Sequence, residues 1–265
     1  MTGSDKLLLD HPAEAVARLT ISNPSKRNAL DHEILDALTA VLPQLDDGIE
    51  VRCLIITGAD PVFSAGYDIG SIPDESFETD AEALVAHPFP AALAALDAFP
   101  WPTVAAINGH CLGGGLELAL TCDLRVAARS AKLGMPPAKL GLIYGHTGIE
   151  RFIQTIGAPR TRELFFTGRN YPAERAEAIG LVNDVTDDGD LADAAVELAA
   201  GIAGNAPISM KGNKQTIDTL LANPVLSEEQ KRELVELRES CFTSGDFREG
   251  ITAFGEKRKP RWTGR

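Results

Sequence analysis

The stretch from Thr103 to Asp123, TVAAINGHCLGGGLELALTCD, constrains this chain more than any other. A short apolar run, Val104 to Ile107, suits a buried strand. A turn follows at Asn108 and Gly109. Then come three consecutive glycines, Gly113, Gly114 and Gly115, and a helical pattern from Leu116 to Thr121. Glycines at a helix start let backbone N–H groups approach a bound oxygen, because no Cβ intervenes. The first N–H groups of a helix have no intrahelical partner, and the helix dipole favours negative charge there. The stretch therefore offers a site for an oxyanion. Glu117, the first acidic residue after the glycines, is placed to face the ligand. The same glycines also suit tight packing of a helix on a strand, and the pattern alone leaves both readings open.

The remaining chain narrows the class. Its 265 residues suffice for one large domain, or a domain with a smaller extension. No apolar stretch is long enough to span a bilayer. The start, MTGSDKLLLDHP, has neither a cationic beginning nor a long apolar run, so no secretory signal is expected. Cys53, Cys111, Cys122 and Cys241 form no CxxC pair and no zinc spacing. They read as reduced structural residues, and a cytoplasmic location is expected. A net charge of −13 argues against nucleic acid or an anionic membrane as partner. Two basic patches stand out on that background: Lys26 with Arg27, and the C-terminal Lys257, Arg258, Lys259, Arg261 and Arg265. Such patches suit a phosphate-bearing ligand; a solvated tail is the plainer reading of the second.

Read in order, residues 7–9 and 15–21 are two strands joined by a turn at His11 and Pro12. Residues 23–29 form a loop. Asp31 caps a helix with apolar positions Ile34, Leu35, Leu38, Val41 and Leu42. Val51 to Thr57 is a buried strand, followed by a second glycine turn, PVFSAGYDIGSIP, with Tyr67 and Asp68 after Gly66. The acidic, proline-punctuated segment 71–90 suits a lid. Ala91 to Phe99 is helical. Strands are expected at Leu124–Ala128 and Lys132–Gly134, and a glycine-rich loop at 141–148 precedes helices at 149–156, 160–167 and 172–179. From about residue 189 only helices are expected, at 190–204, 207–222, 227–243 and 246–258. Strands alternating with helices, then a helical end, predict an α/β core with a helical C-terminal part.

Four segments resemble the crotonase superfamily, the enoyl-CoA hydratase/isomerase family. They are NPSKRNAL at 23–30, FSAGYDI at 63–69, AAINGHCLGGGLELALTCD at 105–123 and DFREGITAFGEKRKPRW at 246–262, in the family's order and spacing. The resemblance implies an α/β, ClpP-like spiral of ββα units over residues 1–200, and a helical trimerisation region over 201–265. It implies a coenzyme A thioester as ligand, with no separate cofactor and no metal, since coenzyme A arrives as part of the substrate. It implies that the N–H groups of Tyr67 and Gly114 hold the thioester oxygen. Ala65, Asp68, Ile69, Gly113 and His146 are then expected around the substrate, with Lys26, Arg27 and Lys257 near the phosphates, Lys257 across a subunit boundary. A homotrimer or a dimer of trimers follows by the same resemblance.

One departure bears on the reaction. A hydratase of this family uses two glutamates, the second in a turn of the type Gly-x-Pro-Glu. Here that turn reads Gly134-Met135-Pro136-Pro137, so Pro137 replaces the carboxylate. Proline exchanges no proton, and one carboxylate cannot act as acid and base at two separate positions in the usual two-group arrangement. Tyr67 in the oxyanion turn and Tyr144 in the later loop look like the methylmalonyl-CoA decarboxylase branch. In that reading Tyr144 orients a leaving carboxylate. The favoured expectation is therefore decarboxylation of a short malonyl-type CoA thioester. Hydration with Glu117 as the one carboxylate, helped by Tyr67, Tyr144 or His146, is the alternative, and a non-catalytic acyl-CoA binder is another. Tyr144 and Glu117 also admit purely structural readings, and Tyr67 also reads as a wall of the acyl pocket.

Overall fold

Hydrogen-bonded pairing sorts the strands into two sheets. The computed structural model describes residues 2–46, 48–68, 88–140, 142–223 and 227–265. In chain order come β1 (Leu7–Ala13), β2 (Val16–Ile21), α1 (His32–Leu45), β3 (Cys53–Gly58), β4 (Val62–Ser64), α2 (Pro88–Asp97), β5 (Thr103–Ile107) and β6 (His110–Leu112). They are followed by α3 (Gly114–Thr121), β7 (Leu124–Ala128), β8 (Lys132–Gly134), α4 (His146–Thr167), β9 (Asn170–Pro172), α5 (Ala173–Ala178) and β10 (Asp184–Thr186). Four helices close the chain: α6 (Leu191–Ala203), α7 (Pro207–Ala222), α8 (Glu228–Thr243) and α9 (Gly245–Glu256).

The larger sheet has the order β1-β2-β3-β5-β7-β10 and the smaller one β4-β6-β8-β9. Each turn of the chain lays one strand in the first sheet, one in the second, and then usually a helix. In the larger sheet pairing from β2 through β10 is parallel, as crossover connections require, whereas β9 pairs antiparallel with β8 in the smaller one. Leu54, Ile56, Ala105, Ile107 and Ala127 face a core shared with α1, α2 and α3. The intervening Cys53, Ile55, Val104, Ala106, Val126 and Ala128 face α6, which presents Leu191, Ala195, Ala199 and Ala203 at a spacing of four. Small side chains there let the helix lie close to the sheet. All of β5 and all of α3 are buried, so the stretch the sequence singled out is the centre of the molecule.

Several expectations need correction. Strand β1 runs through His11 and Pro12, and the turn falls at Glu14 and Ala15, where Ala15 has φ 57°. Pro12 is tolerated because β1 is an edge strand and need not donate on both sides. Helix α2 spans Pro88–Asp97, so it reaches into the stretch assigned to a lid. Residues 71–87 of that stretch, and the site candidate Ile69, lie outside the described residues. The expected cap at Asp31 is present: its carboxylate accepts from Ile34 N. The helices expected at 149–156 and 160–167 form one run, α4, broken at Gly157 by φ 73°.

The C-terminal helices are tied down by charge rather than by a large apolar face. Lys214 Nζ on α7 donates to Asp123 Oδ2 at 2.7 Å and to Trp101 O at 3.2 Å. Lys211 lies 4.2 Å from the centre of the Trp101 ring. The final residues fold back on α9, where Asp246 accepts from the N–H groups of Thr263 and Gly264. Among the described residues no helix is long and apolar enough to cross a membrane.

Candidate active site

Two glycine turns meet at the start of α3. Leu30 pairs with Tyr67 as an isolated parallel bridge, with Leu30 N donating to Gly66 O at 2.7 Å and Asp68 N to Leu30 O at 3.0 Å. In that pairing the backbone N–H of Tyr67 itself points away from Leu30. Gly66 has φ 98°, and a Cβ there would lie 2.9 Å from Leu112 O and 3.3 Å from Gly114 N. The turn carrying Tyr67 thus abuts the turn carrying Gly114. A Cβ on Gly114 would come within 2.7 Å of the Tyr67 ring, and one on Gly115 within 2.6 Å of Ser64 Cβ. The triple glycine therefore serves close packing. It also places the first N–H groups of α3, which have no intrahelical partner, beside Tyr67. The two sequence readings are compatible rather than exclusive.

A cleft of about 480 Å³ opens beside this junction. Tyr67, Glu117 and Tyr144 line it, with Phe89, Pro90, Leu93 and Ala94 of α2 forming an apolar wall. Tyr67 packs edge-on against Phe89, with ring centres 4.8 Å apart. The lining also has a polar part: Arg151 makes a two-pronged ion pair with Asp97, the last residue of α2, at 3.0 and 2.6 Å. Glu117 is only 5% exposed, one turn into α3. The Tyr144 hydroxyl donates to Glu117 Oε2, and its oxygen lies 3.3 Å from the Tyr67 hydroxyl. The three polar groups form one chain along the cleft. Gly148, on the first turn of α4, makes this possible: a Cβ there would sit 2.7 Å from both Glu117 Oε1 and Tyr144 Cε1.

Burial governs the protonation of this chain. Desolvation raises Glu117 above the ordinary carboxylate range, opposed by the Tyr144 hydrogen bond and the Arg151 charge. Desolvation likewise lifts the Tyr67 and Tyr144 phenols, so both stay protonated at neutral pH. Glu117 is then a carboxyl whose proton affinity is set by its surroundings, which is the property a proton-transferring group needs.

The other candidates divide. Lys26 and Arg27 lie next to the Tyr67 turn: Ala65 N donates to Arg27 O at 3.0 Å, and Lys26 Nζ is 4.0 Å from Asp68. Gly113 is the N-cap of α3. His146 is exposed and does not line the cleft, although its neighbours Gly145 and Thr147 do. Lys257 sits at the C-terminal end of α9, which packs on α8, and neither helix lines the cleft. The C-terminal basic cluster is partly neutralised, since Arg258 pairs with Glu249 and Glu256, each at 2.6 Å. Pro137 begins a short 3-10 turn and is buried outside the cleft lining. Sequence reasoning missed the Asp97–Arg151 pair and the role of Gly148. The first joins residues 54 positions apart with no local signal; the second was visible only as one more glycine in a loop.

A groove of similar size, about 460 Å³, lies among α7, α8 and α9. Its buried carboxylate, Asp246, is fully engaged by Thr263 and Gly264, so the chemistry points to the first cleft. No cluster of metal-ligating side chains exists among the described residues.

A glycine-started helix that touches both sheets thus carries a buried carboxylate to the edge of a cleft. The sequence pattern described as Enoyl-CoA hydratase/isomerase matches residues 11–265, and the chain belongs to that family. Its fold is the mixed α/β crotonase fold. It is similar to YngF of Bacillus subtilis, named for an enoyl-CoA hydratase/isomerase, at 38% identity over 98% of this chain and 99% of that one. It is 34% identical to the short-chain-enoyl-CoA hydratase of Clostridium acetobutylicum over 92% of each. A solved enoyl-CoA hydratase from Bacillus anthracis superposes with a TM-score of 0.90, at 32% identity, covering 98% of this chain and all of that one.

Proposed function

We propose that this protein hydrates a 2-enoyl-CoA thioester, with Glu117 as the general base that activates water. The observation that carries this is the hydrogen bond from the Tyr144 hydroxyl to Glu117. A decarboxylase would need that hydroxyl to hold the departing carboxylate. Here its proton is committed to a side chain of the enzyme. A malonyl-type carboxylate entering the cleft would also face Glu117, whereas an enoyl chain brings no charge and suits the apolar wall of α2.

In this reading the N–H groups of Tyr67 and Gly114 receive the thioester oxygen. Charge that develops there as water adds to Cβ is stabilised by donors already in place. Lys26 and Arg27, tied to the Tyr67 turn, reach toward the phosphates of coenzyme A, which enters as part of the substrate without a further cofactor. Lys257 does so only from a neighbouring subunit. Trimeric association is supported by exposed Ile217, Leu220 and Leu221 on α7 and Ile251 and Phe254 on α9.

A second reading, decarboxylation, keeps one observation in its favour: Pro137 stands where the second glutamate would be. The two separate cleanly. Wild-type protein is offered short 2-enoyl-CoA thioesters, followed by loss of the unsaturated thioester absorbance, and malonyl-type thioesters, followed by carbon dioxide release. Hydration without carbon dioxide release supports the proposal; the reverse pattern overturns it.

A further inference from the structure

Hydration needs a proton delivered to Cα as well as one removed from water, and Pro137 leaves no second carboxylate to deliver it. The cleft instead holds two phenols in line with Glu117: Tyr144 donates to Glu117, and Tyr67 lies 3.3 Å beyond Tyr144, oxygen to oxygen. With the Tyr144 proton directed to Glu117, the second contact has Tyr67 donating to Tyr144. Tyr67 is the residue whose backbone N–H faces the thioester oxygen in the proposed reading. Tyr67 also lines the cleft, so the far end of the chain borders the space a substrate would fill.

We infer that Tyr144 and Tyr67 form a relay that supplies Cα with the proton Glu117 takes from water, in place of a second carboxylate. This rests on the hydration reading. In the resting site the ionised Glu117 holds the Tyr144 proton. Water loses a proton to Glu117 as its oxygen bonds to Cβ. Glu117, now neutral, releases Tyr144, whose hydroxyl turns to Tyr67. Tyr67 gives its proton to the enolate Cα, Tyr144 refills Tyr67, and Glu117 refills Tyr144. One water has been added across the double bond, and all three groups have returned to their starting states.

The site is built for such a chain. Phe89 holds the Tyr67 ring edge-on, and Phe165 holds that of Tyr144 with ring centres 5.7 Å apart. Gly148 leaves room for the carboxylate and the Tyr144 ring to meet. Phenylalanine at either tyrosine keeps the ring packing and removes only the hydroxyl.

The test compares wild type with Tyr67→Phe, Tyr144→Phe and the double variant, each checked for unchanged thermal unfolding, on a short 2-enoyl-CoA. The relay predicts a kcat lower by about 100-fold in each single variant, with KM changed less than about threefold. Because the steps are in series, the double variant should be no slower than the slower single one. A Tyr67→Phe kcat within about threefold of wild type overturns the relay while leaving hydration intact. So do losses that multiply in the double variant, or an effect confined to KM, as a pocket wall would give. If wild type hydrates no 2-enoyl-CoA, the hydration reading falls and takes the relay with it.

Discussion

Two helices of this protein carry a buried carboxylate in the first turn, and the two carboxylates are treated in opposite ways. Asp246 on α9 is 1% exposed, and both its oxygens are occupied: Oδ1 accepts from Thr263 N at 2.7 Å and Thr263 Oγ1 at 3.1 Å, and Oδ2 from Gly264 N at 2.9 Å. Glu117 on α3 is almost as buried, yet among the described residues its side chain accepts from one group, Tyr144, and it borders a cleft. A carboxylate surrounded by backbone donors is a structural tie. One held by a single phenol, with its proton affinity raised by burial, can exchange a proton. Sequence position at a helix start is shared by both and so does not distinguish them; the partners do.

The largest expected effect separates the two carboxylates by chemistry. Glu117→Gln should lower kcat for hydration by about 1,000-fold, the range for loss of a general base. It should not lower the unfolding temperature. The sign follows from the raised folded-state value: the buried carboxyl favours the protonated form, so its contribution to stability is present below the unfolded-state value and lost as pH rises through the folded-state one. A neutral amide at pH 7 removes that penalty and still accepts from Tyr144. An unfolding scan beside the rate assay checks both halves.

Gly148→Ala comes next. Its Cβ would push Glu117 and Tyr144 apart, and misplacement by a fraction of an ångström to an ångström at a reacting group costs up to about 100-fold in kcat. Steady-state kinetics should show this loss with binding of saturated acyl-CoA retained. Asp246→Ala should do the opposite of both. It strands the Thr263 and Gly264 N–H groups at a cost of about 2 kcal/mol in denaturant unfolding, while the folded fraction keeps wild-type kcat. A large kcat loss from Asp246→Ala would break the distinction between the two sites. The smallest effect belongs to Lys26→Met with Arg27→Met. Exposed cations are worth up to about 1 kcal/mol, so KM should rise about fivefold with kcat unchanged, and the difference should shrink in high salt.

The centre of this molecule was legible before its structure because its signals are local. The apolar run of β5, the glycines before α3 and the Asp31 cap each act within a few residues. The strands β4, β6, β9 and β10 have three residues apiece, too short for alternation to register, and they are held by pairing with distant partners. At the site, Glu117, Tyr67 and Tyr144 were identifiable as residues. What each does was not. Tyr144 was read as orienting a substrate carboxylate, as a proton donor or as a packed loop residue; its hydrogen bond to Glu117, 27 positions away, was not visible in the sequence. Asp97 and Arg151 likewise meet only through the packing of α2 on α4. Lys257 was placed near the ligand by resemblance and across a subunit boundary; within one chain it caps α9, which does not line the cleft.

The most direct test of Glu117 as the working carboxyl is the pH dependence of kcat/KM for hydration in the wild-type enzyme. The account predicts a single-proton fall on the acid side, centred above 4.5, the ordinary value, and absent from whatever activity Glu117→Gln retains. A profile that stays flat down to the onset of acid unfolding, or an acid limb unchanged in Glu117→Gln, would contradict it.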